Sequence, residues 1–136
     1  MFTLTLVTPQ KKLVTDLEID EIFVPAYKGE LNILPGHAPL LTTLETGVLR
    51  YRTKESNKLK KVAISWGYCE VFPHGVNILA ETAEQPKDID IDRVKVAQKK
   101  SEELLVEGQL NMDEIEKFQR KYIRSLVRSE VGESED

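Results

Sequence analysis

The sequence predicts a mixed protein in which β-structure comes first and a helical hairpin follows. Three observations carry that expectation. Up to about Glu84, apolar residues recur with period two between frequent turn residues. After Gln85-Pro86 the apolar period becomes that of a helix. Within that second part Gly108 separates two helical stretches, and Asn111 followed by Glu114 is the start signal of the later one. The expected division is a β-domain over residues 1–85 and a helical hairpin with a frayed acidic tail over residues 86–136.

The strands are read in order. Phe2, Leu4 and Leu6 alternate with threonines. Leu17 and Ile19, then Ile22 and Val24, form a second strand whose change of phase marks a bulge. A short strand from Glu30 to Leu34 is followed by a tight Pro35-Gly36 turn that presents His37, and another strand begins near Leu40. Gly47 opens GVLRYR, and Lys58 to Trp66 follows the polar stretch Lys54 to Asn57. Cys69–Phe72 and Val76–Leu79 flank Pro73-His74-Gly75 as a hairpin. Many short strands with regular turns predict an antiparallel sandwich or barrel.

In the second part, Asp88, Asp90 and Asp92 suit a helix N-terminus, where the dipole favours negative charge. Ile91, Val94, Ala97, Ser101, Leu104 and Leu105 fall on one face of the first helix. The second helix is expected from about Met112 to Arg128, stapled by Leu110 and Ile115. Residues from Ser129 to Asp136 are expected to fray. At 100° per residue, Lys117, Arg120, Lys121, Arg124 and Arg128 lie within an arc of roughly 100°. Ile115, Phe118, Tyr122, Ile123 and Leu126 gather opposite them. The basic stripe reads either as a solvated face or as a contact for an acidic surface or a phosphate.

Composition narrows the function. The chain is 40% hydrophobic and 31% charged, values of a folded rather than a disordered protein. A net charge of −4 argues against general nucleic-acid binding. No apolar run approaches the roughly 20 residues of a membrane span, and the alternating start MFTLTLVTPQKK has the character of neither a signal nor a transit peptide. One cysteine, Cys69, forms no internal disulfide, so a reducing compartment is expected, with membrane contact only through partners.

Catalytic chemistry finds little support. His37 and His74 are the only histidines, no serine lies in a glycine elbow, and no Cys/His spacing closes a metal site. Cys69 reads as a small core or edge residue. Trp66-Gly67-Tyr68 reads as a stacking platform or, more simply, as core aromatics of a small sandwich. The aspartates at 88, 90 and 92 do not share a helix face, and capping explains them better than a cation does.

The most specific segment is Gly29–Leu41, GELNILPGHAPLL. Its order resembles the signature loop Gly-Glu-Leu-Gly-Ile-x-Pro-Gly-His-Ala-Pro-Leu-Leu of the ATP synthase epsilon subunit, with Asn32 where that family usually has glycine. Gly47-Val48-Leu49-Arg50 resembles a family strand, and Glu70–Pro73 with Val76–Ala83 resembles its last β-hairpin. Trp66 is a second departure, standing where relatives such as the enterobacterial form have glycine.

The resemblance implies a ten-stranded antiparallel β-sandwich followed by a two-helix antiparallel hairpin. It implies a non-catalytic rotor subunit binding the gamma subunit and the polar loops of the c-ring, at the cytoplasmic face of a bacterial inner membrane. Glu30 and His37 would face the c-ring. The stripe Lys117, Arg120, Lys121, Arg124 and Arg128 would meet the catalytic beta and alpha subunits when the hairpin extends to restrain ATP hydrolysis. The run Ile89-Asp90-Ile91-Asp92-Arg93-Val94 resembles the family's nucleotide motif except at Val94. By that resemblance Ile89, Asp90 and Arg93, with Arg120 and Arg124, would hold a regulatory ATP, while the role itself needs no cofactor and no metal. Two rival readings stand beside this one: a free-standing sandwich whose hairpin oligomerises, and a small hydrolase using His37.

Overall fold

The computed structural model describes residues 1–133. Seven strands precede the helices: β1 (Thr3–Val7), β2 (Lys12–Ala26), β3 (Gly29–Ile33), β4 (Leu40–Leu44), β5 (Gly47–Thr53), β6 (Leu59–Phe72) and β7 (Gly75–Glu84). A 3₁₀ turn at Pro86–Asp88 leads into α1 (Ile91–Glu107) and α2 (Met112–Gly132). The strands hydrogen-bond in the order β1-β7-β6-β4-β2-β3; β5 bridges β2 and β6, and β1 also pairs β2. The sheet therefore folds back on itself around one core, the sandwich expected.

The count is seven rather than ten, because long strands serve both layers without a break. β2 pairs β1 through Lys12–Glu18, β5 through Ile19–Phe23 and β3 through Ile22–Ala26. β6 pairs β5 through Leu59–Ile64 and β4 through Gly67–Val71, with β7 along most of its length. Its two pairings change over around Trp66, where φ is +46°. In β2 the pairing with β1 is irregular around Asp16, where φ is +48°, and that with β5 shifts between Ile19 and Glu21. The latter shift is the bulge that the apolar phase predicts. The ladder is antiparallel except for β1, which runs parallel to β7.

Alternation in β1 buries Leu4 and Leu6 completely, with Ile22, Val24, Ile33, Leu44, Leu49, Val62, Ile64 and Val76 against them. Asn32 sits in β3 opposite Phe23 and is not among the residues of positive φ, so asparagine is accommodated there as an ordinary extended residue. Gly67 is required by packing: a Cβ there would stand 2.2 Å from the Leu79 carbonyl oxygen and 2.9 Å from Ala80 Cα.

The helices start and stop where their caps dictate. The Asp90 carboxylate accepts the Arg93 N–H at 3.2 Å, and Gly108 closes α1 with φ +71°. Asn111 Oδ1 accepts the Glu114 N–H at 2.9 Å. α2 continues past Arg128 to Gly132, beyond the expected end, because Val131 is wholly buried against the sandwich; Ser129 and Glu130 are helical, not frayed. Of the expected tail, residues 134–136 lie outside the described residues.

The helix faces also shift from their projections. Ala97 is exposed while Val94 and Ser101 are buried, and Ile123 and Leu126 are 50% and 41% exposed while Ser125 is buried. Each helix buries a serine, at 101 and at 125, a small residue that an apolar tally passes over.

Two measurements test this core. Cys69 is fully buried, and burial pushes its thiol up to about 12, so almost none is thiolate at pH 8. A thiol reagent at that pH should leave the native protein unlabelled and react on unfolding in urea. Gly67→Ala should cost roughly 1–3 kcal/mol by forcing β6 from β7, read as a lowered urea midpoint.

Candidate functional site

The sandwich has two poles, and β6 joins them. At one pole the β3–β4 loop meets the β6–β7 turn, where Gly36 N–H donates to the Pro73 carbonyl at 3.1 Å. His37 N–H donates to the Leu34 carbonyl at 3.2 Å, and its Nδ1 lies 2.7 Å from the Ala38 carbonyl oxygen. That contact requires a proton on Nδ1. His74 lies against Phe72 with ring centroids 5.0 Å apart. The loop from Leu34 to Leu41 is largely exposed, fixed in shape by Pro35, Gly36 and Pro39.

Glu30 is not part of that pole. It pairs opposite Pro25, near the end of β4 remote from Leu40, so roughly 13 Å of strand separates it from the His37 loop. Its carboxylate is held by Arg50 Nη2 at 2.7 Å, and that guanidinium stacks 4.5 Å over Phe23. The loop as read from sequence thus divides into a held carboxylate and an exposed turn.

At the second pole the hairpin docks. Ile89, Val94 and Val131 bury themselves with Ala63 of β6, flanked by Val48 and Val127. Val94, the departure in the nucleotide-like run, is thus a core residue of this junction. Arg128 Nη2 donates to Glu84 Oε2 at 2.9 Å; its Nε lies 2.9 Å from Oε1 as a charge contact, without hydrogen-bond alignment. Lys61 and Glu130 approach to 4.0 Å, and Lys95 meets Glu133 at 2.8 Å. That contact raises the Lys95 pKa, chiefly through the Glu133 hydrogen bond.

The basic stripe lies beside the docked side of α2, with Arg128 half-buried and Lys117, Arg120, Lys121 and Arg124 exposed. Val131 follows Arg124 by seven residues, within about 20° on the helix surface, so the same side that buries Val131 carries the arginines. Arg120, Lys121 and Arg124 line a groove of about 390 Å³ opposite Glu45, Ser65, Trp66, Glu81 and Thr82. Lys117 is exposed, and Lys121 Nζ lies 5.3 Å from the centroid of Phe118. Ile89, Asp90 and Arg93 do not line this groove. Ile89 is in the junction core against Gly132, and Asp90 caps α1. Arg124 and Arg120 precede Gly132 by roughly 12 and 18 Å of helix axis. The docked hairpin therefore does not gather the five nucleotide-motif residues around one cavity.

Between the poles lies an exposed apolar surface, and Trp66 and Tyr68 belong to it rather than to the core. Tyr27, Leu41, Trp66, Tyr68 and Leu79 are 65%, 69%, 52%, 57% and 49% exposed. They adjoin one another across two shallow grooves, one lined by Tyr27, Trp66, Tyr68 and Leu79, the other by Leu41, Tyr68 and Leu79. A signal was available: Cys69 and Val71 point inward, so Tyr68 must point outward. A contiguous apolar face of this kind marks an interaction surface.

Comparison with known proteins gives this architecture its class. Residues 1–86 match the family model described as the ATP synthase delta/epsilon chain β-sandwich domain. The ATP synthase epsilon chain of Bdellovibrio bacteriovorus is 46% identical over 132 residues, covering 97% of this chain and 94% of that one. That of Geobacter sulfurreducens is 39% identical, covering 93% and 90%. A chain in the Euglena gracilis mitochondrial ATP synthase structure superposes with a TM-score of 0.72 at 20% identity, covering 97% of this chain and 77% of that chain. One in the Tetrahymena thermophila mitochondrial ATP synthase central stalk and c-ring structure gives 0.61 at 16%, covering 96% of each. The chain belongs to the ATP synthase epsilon-chain family.

Trp66 yields a prediction at this surface. A large side chain at φ +46° carries backbone strain of about 1–2 kcal/mol, which glycine does not. Trp66→Gly should leave the thermal midpoint unchanged or raised, while weakening whatever docks on the apolar face. A drop of several degrees would show that the indole is a structural residue instead.

Proposed function

We propose that this chain is the non-catalytic central-stalk subunit of a rotary ATP synthase, coupling the gamma subunit to the c-ring and restraining ATP hydrolysis through its helices. The observation that carries the reading is the separation of three surfaces on one rigid sandwich. The proline-fixed His37 loop and the Pro73-His74 turn form one exposed end, suited to the polar loops of the c-ring. The apolar face of Leu41, Trp66, Tyr68 and Leu79 suits the gamma subunit. The hairpin brings Lys117, Arg120, Lys121 and Arg124 as a basic contact for the catalytic beta and alpha subunits once it leaves the sandwich. Glu30, held by Arg50, would act by rigidity of the sandwich rather than as a free loop carboxylate. In this reading the chain sits at the cytoplasmic face of a bacterial inner membrane and meets the membrane only through the complex.

A regulatory ATP is a separate proposal, and the docked hairpin constrains it. Its phosphates would draw on Arg120 and Arg124, which lie two to three helical turns from the segment around Ile89, Asp90 and Arg93. Nucleotide binding by all five would require those regions to come together.

Two substitutions test the main reading on the assembled complex. Arg120→Ala/Arg124→Ala should weaken inhibition of hydrolysis severalfold and leave assembly intact, with salt mimicking the effect because exposed charges are screened. Inhibition equal to wild type would remove this stripe from the brake. Tyr68→Asp should reduce affinity for the gamma subunit by at least tenfold in titration while leaving the fold unchanged, since its side chain is exposed.

A further inference from the structure

Where the start of β6 meets the turn that leads into α1, a recess of about 230 Å³ opens on the surface. Tyr51, Lys60 and Val62 line one side of it, and Gln85, Pro86 and Lys87 the other. Lys60 stands directly across the β5–β6 ladder from Tyr51, so the two side chains share one face of the sheet, and Tyr51 is buried. The carboxylates nearby are engaged by other groups. Asp88 accepts the Gln85 N–H at 3.1 Å and lies 4.0 Å from Lys11 Nζ. Glu130 lies 4.0 Å from Nζ of Lys61, whose side chain points to the opposite face of the strand from Lys60. Glu84 holds Arg128. Among the described residues, the side chains of Lys60 and Lys87 make no ion pair and no hydrogen bond.

We propose that this recess is a binding site for a small dianionic oxyanion of the phosphate class, held between the Lys60 and Lys87 ammonium groups beside Tyr51. Two uncompensated like charges repel each other, and the low-dielectric wall of a concave surface focuses their field on the space between them. An anion entering that space meets both charges at once. A lysine head is a compact point charge on a flexible stem, which suits an oxyanion approached from two sides. The stem of Lys60 has the apolar body of Tyr51 to lie against while its head stays at the opening. The recess, at about 230 Å³, is smaller than the roughly 300–1,000 Å³ of pockets that enclose drug-sized ligands, so it fits a phosphoryl group rather than a whole nucleotide. Asp90, Arg93, Arg120 and Arg124 do not line it. Its ligand is either free phosphate or the phosphoryl end of a larger ester, and binding there requires neither the rotor role nor any movement of the helices.

Amide chemical shifts of the full chain test the site, with ionic strength held constant by sodium chloride. Inorganic phosphate should move the amides of Tyr51, Lys60 and Lys87 along one saturating curve, whereas chloride alone should not. Two charge-assisted contacts place the midpoint near the millimolar range. Lys60→Gln and Lys87→Gln should each raise that midpoint on the order of fivefold, and the two together should abolish saturation. Both lysines are exposed, so the variants keep the fold. Lys99→Gln, at an exposed lysine of α1, should leave the midpoint at its wild-type value. Shifts that never saturate in the wild type overturn the proposal, as does one midpoint shared by the wild type and the double variant. An effect of Lys99→Gln as large as that of the double variant overturns it too, because general surface charge would then suffice. Glycerol phosphate separates the two sources. A midpoint below that of inorganic phosphate, lost in the double variant, identifies the end of an ester as the ligand, and a higher midpoint identifies free phosphate.

Discussion

Strand β6 is the member on which the rest of the molecule is registered. It runs from the hairpin junction at Lys61–Ala63 to the turn that receives the His37 loop, pairing β5, β4 and β7 on the way. A strand cannot serve two layers without a bend, and this one bends where Trp66 takes φ +46° and Gly67 lets β7 approach without a Cβ between them. Because the side-chain period is two, that register decides which residues face inward. Val62, Ile64, Cys69 and Val71 enter the core, while Trp66 and Tyr68 are exposed. The interaction face is therefore a consequence of strand register rather than an addition to it.

Continuity of β6 also makes the sandwich mechanically one piece. A load applied at the His37 loop passes through hydrogen-bonded ladders to the hairpin end without crossing a flexible linker. Lateral pairs reinforce the same sheet: Arg50 bridges Glu30 and Phe23, and Arg52 bonds Glu21 across the β2–β5 pair. Such pairs contribute little stability individually, yet they hold exposed long side chains in fixed places on the sheet.

Much of this was legible in the chain because local chemistry agreed with the final structure. Alternation in Phe2–Leu6, the caps Asp90 and Asn111, the stop at Gly108 and the hairpin at Pro73-His74 all follow from short-range rules. The strand count did not, because nothing local distinguishes two short strands from one that changes partners in the middle. For Trp66 and Tyr68 the two readings, exposed platform or core, are separated by the phase that Cys69 and Val71 set, against the general tendency of aromatics to be buried. The end of α2 depends on Val131 meeting Ala63, a contact across 68 positions of sequence that no local window contains. The orientation of the basic stripe follows from the same contact. Glu30 and His37 are near in sequence yet lie toward opposite ends of β3, since a strand carries residues apart as efficiently as a loop brings them together.

The balance at the hairpin junction follows from magnitudes. Burying four aliphatic side chains of the size of alanine, valine and isoleucine is worth ~5 kcal/mol at most by surface area, and less against a realistic unfolded chain. Ordering the 3₁₀ turn and fixing long side chains such as Arg128 opposes a large part of that gain. The net apolar contribution is then a few kcal/mol, comparable with the ~1.5–3 kcal/mol of a charge-assisted contact at a partly shielded site. In the main core, with twenty buried residues, an ion pair of that strength would be a minor term. At this junction it is a deciding one. A helical pair anchored by so small a core rests on a few contacts, whereas the sandwich beneath it rests on a core of twenty buried residues.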